Sequence, residues 1–115
     1  MRCIVRILIT VSPLMYREAI TLFIHRHRPG HEVRMVSPEA SAFEVARFRP
    51  HLLVRNSNEG FGQQEALASV PFWVEVSYSD GMDARISADG EVSEVDDVSM
   101  EDLLRVVDEA AAHTG

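Results

Sequence analysis

The chain has 115 residues, 46% of them apolar and 25% charged, and a net charge of −7. That length allows one domain with a single modest core. The composition is that of an ordinary globular chain, with no apolar run near the ~20 residues of a membrane span. One cysteine excludes an internal disulfide, and Arg6 interrupts the apolar start with no small-residue cleavage site behind it, so the expected compartment is the cytoplasm.

The charge is unevenly placed. Residues 1–56 carry nine arginines against four acids, and residues 57–115 carry two arginines against fourteen acids. There is no lysine. An acidic half repels phosphate backbones, which argues against nucleic-acid binding. Two oppositely biased faces could meet head to tail between copies, or could simply be solvated.

Cys3 to Ile9 is a nearly continuous apolar run rich in β-branched residues, the pattern of a strand buried on both faces. Ser12 followed by Pro13 reads as a helix cap and first helical residue. From there Met15, Ala19, Leu22 and Phe23 share one face, widened by Ile20 and Ile24, until Pro29-Gly30 stops the helix. His31 to Val36 reads as a second strand. Ser37-Pro38 repeats the cap signal for a helix to about Phe48, with Phe43, Ala46 and Val45 inward. Leu52-Leu53-Val54 is a short buried strand running into Asn56-Ser57-Asn58, and a weak helix covers Gln63 to Ser69.

Phe72 to Ser77 then alternates strictly, with Phe72, Val74 and Val76 on one face and Trp73, Glu75 and Ser77 on the other. Asp80-Gly81 makes a turn. Asp89-Gly90 signals a two-residue hairpin, whose register sets Ala88 against Glu91, Ile86 against Ser93 and Arg85 against Glu94. Ser99 and Asp102 form a capping box for a last helix, about Met100 to Ala112, burying Leu103, Leu104, Val107, Ala110 and Ala111. Right-handed crossovers then require an α/β domain with a mostly parallel sheet and an antiparallel hairpin at its edge.

Several of these residues carry a family likeness. Val5-Arg6-Ile7-Leu8-Ile9 with Ser12-Pro13-Leu14-Met15-Tyr16-Arg17-Glu18-Ala19, and Pro50-His51-Leu52-Leu53-Val54-Arg55-Asn56, resemble the response-regulator receiver domain. The resemblance implies a three-layer α/β/α, flavodoxin-like fold with strand order 2-1-3-4 and the hairpin at the edge. It also implies where phosphotransfer chemistry would sit. The family's acidic pair falls on Thr10 and Val11 or on Val11 and Ser12, its phosphate-accepting aspartate on Asn56, and its sensing hydroxyl on Ser77 or Ser79. Its lysine has no counterpart, since the chain has none. The expectation is a pseudo-receiver without catalytic activity or cofactor, acting through a protein partner or as a homodimer, with no membrane and no nucleic acid.

Open α/β sheets bind ligands beyond the carboxyl ends of their strands. That edge holds Thr10, Ser12, Asn56, Ser57, Asn58 and Ser77, a neutral polar set suited to a polar or anionic metabolite, although caps and turns use the same residue types. Trp73, Glu75, Arg85 and Glu94 form the candidate partner surface, with a core role for Trp73 as the competing reading. Gly60-Phe61-Gly62 lacks the further glycine and lysine of a phosphate loop. His25 and His27 point about 200° apart on a helix and cannot share a metal.

Overall fold

The computed structural model describes residues 4–57, 70–78, 82–88 and 90–114. Six strands form one mixed sheet: β1 (Arg6–Ile9), β2 (Glu32–Met35), β3 (Leu52–Asn56), β4 (Phe72–Ser77), β5 (Asp83–Ala88) and β6 (Glu91–Val95). Their order is β2-β1-β3-β4-β5-β6, parallel through β4 and antiparallel from there to the edge. Helices α1 (Leu14–His27), α2 (Ser41–Phe48) and α3 (Met100–Thr114) pack on it, with a 3₁₀ turn at Pro38–Ala40 before α2.

Period-two alternation splits the interior. Ile7, Ile9, Leu52, Val54, Phe72, Val74 and Val76 point to one face, where Ile20 and Ile24 of α1 and Leu103 and Val107 of α3 cover them. Leu8 and Leu53 point to the other, where Val45 and Phe48 of α2 close a second core with Val70 and Trp73. The chain steps to one side of β1 through α1 and to the other through α2. Two right-handed crossovers in opposite directions must place their helices on opposite faces. A bidentate pair, Arg28 Nε and Nη2 to Asp108 Oδ1 and Oδ2 at 2.8 and 2.9 Å, ties the end of α1 to α3. This pair holds the Asp108 carboxyl below the usual range.

The hairpin register is the expected one, with Ala88 opposite Glu91, Ile86 opposite Ser93 and Arg85 opposite Glu94. Gly90 takes φ +94°, a conformation favouring glycine. The capping box also forms. Ser99 N donates to Asp102 Oδ2 at 2.9 Å and Asp102 N to Ser99 Oγ at 3.2 Å. Cys3, Asn58, Gly60 to Gly62, the Gln63 to Ser69 helix, Ser79, Asp80-Gly81 and Asp89 lie outside the described residues.

Four local expectations are corrected. The β1 ladder begins at Arg6, because the Val5 and Arg6 N–H groups donate to histidine side chains instead of a neighbouring strand. Pro13 is itself the extended cap residue of α1, and Ser12 caps nothing, its backbone being held by Asn56. On α1 the buried stripe is Ile20 and Ile24 with Phe23 beside it, while Met15 and Leu22 are 66% and 56% exposed and Ala19 is exposed too. On α2 the inward residues are Ser41, Val45 and Phe48. Phe43, about 200° around the helix from Val45, is 63% exposed beneath the Arg47 guanidinium, and Ala46 is exposed.

The corrected phase of α1 is testable by urea unfolding. Ile24→Ala should cost about 2–5 kcal/mol, as a buried truncation does. Leu22→Ala should stay within about 0.5 kcal/mol. Equal losses would restore the broader face.

Candidate functional site

At the carboxyl ends of β1 and β3 the strand order reverses, and here α/β sheets usually open a crevice. In this chain hydrogen bonds tie the two strand ends to each other. The Thr10 N–H donates to Val54 O at 2.8 Å, and the fully buried Thr10 Oγ1 donates to the same carbonyl at 3.4 Å. Asn56, at the last position of β3, accepts from Ser12 N through Oδ1 and donates to Ser12 O through Nδ2, both at 3.2 Å. One amide thereby satisfies both backbone groups of the residue leading into α1. Arg17 Nε adds a bond to Val11 O at 3.1 Å.

This junction needs an amide. A carboxylate at position 56 could only accept, and would set an oxygen against the Ser12 carbonyl. The chain has Thr10, Val11 and Ser12 beside it, where the receiver resemblance puts its acidic pair. Among the described residues no group of three or more His, Cys, Asp or Glu is placed to hold a metal ion.

Ser57 and Ser77 are not part of that junction. Ser57 N donates to Val76 O at 3.0 Å, which carries the β3–β4 pairing one bond past Asn56. Both serines line a shallow concavity of about 280 Å³ on the sheet face opposite α1 and α3, together with Glu75, Asp83, Arg85, Glu94 and Asp96. Register explains the gathering. Arg55, Glu75, Arg85 and Glu94 lie directly across from one another on β3 to β6, an alternating-charge row over four strands. Arg55 Nη1 reaches Glu75 Oε1 at 3.3 Å, and Arg85 Nη1 lies 3.9 Å from Glu75 Oε2. Arg55 is buried, Glu75 is partly so, and the Arg85 side chain is about half exposed, so charge reaches solvent toward the hairpin.

The ligand and partner sets read from the sequence are therefore regrouped. Thr10, Ser12 and Asn56 form an internally bonded junction, whereas Ser57, Ser77, Glu75, Arg85 and Glu94 share one acidic surface. Trp73 belongs to neither, because it packs half-buried against the α2 core, the competing reading for it. Asp83 and Asp96 join the surface and were missed. The alternation of Asp83 with Arg85 was visible, but their alignment with Glu75 depends on the β4–β5 pairing.

At the opposite end of β1, two imidazoles do backbone work. Val5 N donates to His31 Nδ1 at 3.0 Å and Arg6 N to His51 Nδ1 at 2.9 Å. Burial, helped by the Arg6 charge, lowers the His51 pKa below its ordinary value.

No family model matches the chain, and no curated protein matches it. Among solved structures it is similar to the crystal structure of HypX from Aquifex aeolicus, in a variant with four substitutions, at a TM-score of 0.55 and 13% identity. The likeness covers 97% of this chain and 28% of that one, so this chain spans less than a third of the HypX length. At that identity the likeness concerns the fold alone. It agrees with an α/β chain built on a mixed sheet. No described helix is long and apolar enough to cross a membrane.

Two measurements test these assignments. Asn56→Ala, which leaves both Ser12 backbone groups unpaired, should cost about 1–3 kcal/mol in urea unfolding; a neutral result would remove Asn56 from its structural role. A depressed His51 pKa means that its stabilisation is complete above about pH 6.5 and is lost as pH falls toward the folded-state value. The melting midpoint should drop from pH 7 to 5.5, and His51→Asn, which keeps an acceptor that cannot titrate there, should flatten the drop. Identical profiles would show that His51 does not set it.

Proposed function

We propose that this chain is a non-catalytic binding module, a receiver-like scaffold that has given up phosphoryl transfer and works by docking a protein. The observation that carries the reading is the Asn56 amide, which serves as donor and acceptor to Ser12 where the resembled family keeps a phosphate-accepting carboxylate. An amide cannot form an acyl phosphate, and the lysine that would pair with one has no equivalent in the chain. Further support comes from the order β2-β1-β3-β4, which matches the flavodoxin-like arrangement as far as it goes. The cytoplasm suits a chain with one cysteine.

The docking surface on this reading is the concavity over β4 to β6, where Glu75, Asp83, Glu94 and Asp96 outnumber Arg85. Its partner is a basic protein surface, and the arginine-rich first half of a second copy has that character. Contact between unlike faces of two copies is head to tail. A polar or anionic metabolite at the strand ends has less support, because Thr10, Ser12 and Asn56 already bond one another's elements.

The test has two readouts on the intact chain. Incubation with acetyl phosphate and Mg²⁺ should leave the intact mass unchanged, and an acid-labile phosphate adduct would overturn the reading. Light scattering at low ionic strength should detect association that salt weakens and that Glu94→Arg diminishes. A monomer at every salt concentration would reject the second copy as partner.

A further inference from the structure

Near the bonded ends of β1 and β3 lies a cavity of about 250 Å³. It sits over the end of β4, between the second turn of α1 and the start of α3. Ile20, Val76 and Leu103, all buried, line its depth, and Tyr16, Met82 and Met100 complete its walls. Ala19 is at the solvent side of α1. The wall opposite α1 is fixed by a backbone bond from Val98 N to Met82 O at 2.7 Å.

We propose that this cavity is a binding site for an uncharged aromatic molecule about the size of indole. Size is the first argument. A dry apolar cavity of about 150 Å³ admits benzene, so this one has room for a fused bicyclic ring. Chemistry is the second. Tyr16, its ring steadied against Tyr78 at 5.3 Å between centroids, lines the cavity with Met82 and Met100, and aromatic and thioether side chains favour an aromatic guest. Charge is the third. The Ser99 hydroxyl on the wall already donates to Asp102 Oδ2 and accepts from Asp102 N, so a charged guest would find no partner there. The Asp102 carboxylate behind Ser99, held below the usual carboxylate range by its bonds to that residue, adds negative charge near the wall and disfavours an anion. Nothing in this inference depends on the docking surface, which lies on the other face of the sheet.

The test is titration of the intact chain, labelled at its methionine methyl carbons, with indole. The Met82 and Met100 signals should shift together and saturate, while Met35, exposed on β2, stays in place. Indole-3-acetate should bind about tenfold more weakly or not at all. Ala19→Trp, at an exposed helix position, should fill the cavity and weaken indole binding by at least about tenfold. Val98→Phe, from the opposite wall, provides a second blocking variant should the first fail to fold. Movement of the Met35 signal equal to that of Met82 and Met100, no movement up to the solubility of indole, equal affinity for the acetate, or unaltered binding in a folded blocking variant would each overturn the proposal.

Discussion

A strand with no polar face must be covered twice, and β1 and β3 are such strands. Ile7, Leu8 and Ile9, then Leu52, Leu53 and Val54, are all buried, although neighbours in sequence point to opposite sides of the sheet. The rest of the architecture follows from meeting that demand. Helices α1 and α3 cover one side and α2 the other, and the arginine–aspartate clamp at Arg28 and Asp108 holds the first pair in place. With both faces of the inner strands occupied, among the described residues the strand ends and the antiparallel half of the sheet stay within reach of other molecules.

The strand ends have been turned to structural use. At one end of β1, histidines 31 and 51 take up backbone N–H groups that lack a strand partner. At the other, Thr10 and Asn56 take up the carbonyl of Val54 and the peptide groups of Ser12. Buried backbone groups must be paired, so these side chains are needed by the fold before any ligand arrives. That is why Thr10, Ser12 and Asn56, which make the edge look receptive in the sequence, are already engaged within the fold. Two places are less committed: the acidic face of the hairpin, where charge reaches water, and the apolar cavity over β4, where the adjoining hydroxyl is already satisfied.

Alternation and turn chemistry were legible because they are local. The faces of β4, the Asp89-Gly90 hairpin and its residue-by-residue register, and the Ser99–Asp102 cap each depend on a few neighbouring residues, and each described part took the expected form. The helix faces were not, because both α1 and α2 carry more apolar residues than they bury. Met15 and Leu22 compete with Ile20 and Ile24, and Phe43 with Phe48, so composition cannot choose the stripe. Packing against the sheet chooses it. Ser12 shows the same limit, since its cap signal is genuine but loses to an asparagine 44 residues away.

By itself the sequence determined an α/β chain with an antiparallel edge, a split between basic and acidic halves, and the absence of lysine and of an acid at position 56. These are properties of composition and of periods two to four residues long. Only the tertiary structure decided which polar side chains are used up. It brought Asn56 to Ser12, aligned Arg55, Glu75, Arg85 and Glu94 across four strands, and left a hollow between α1 and α3. The reason is physical: a hydrogen bond, an ion pair or a void is a relation between distant segments, and its partners are fixed only when the sheet is assembled.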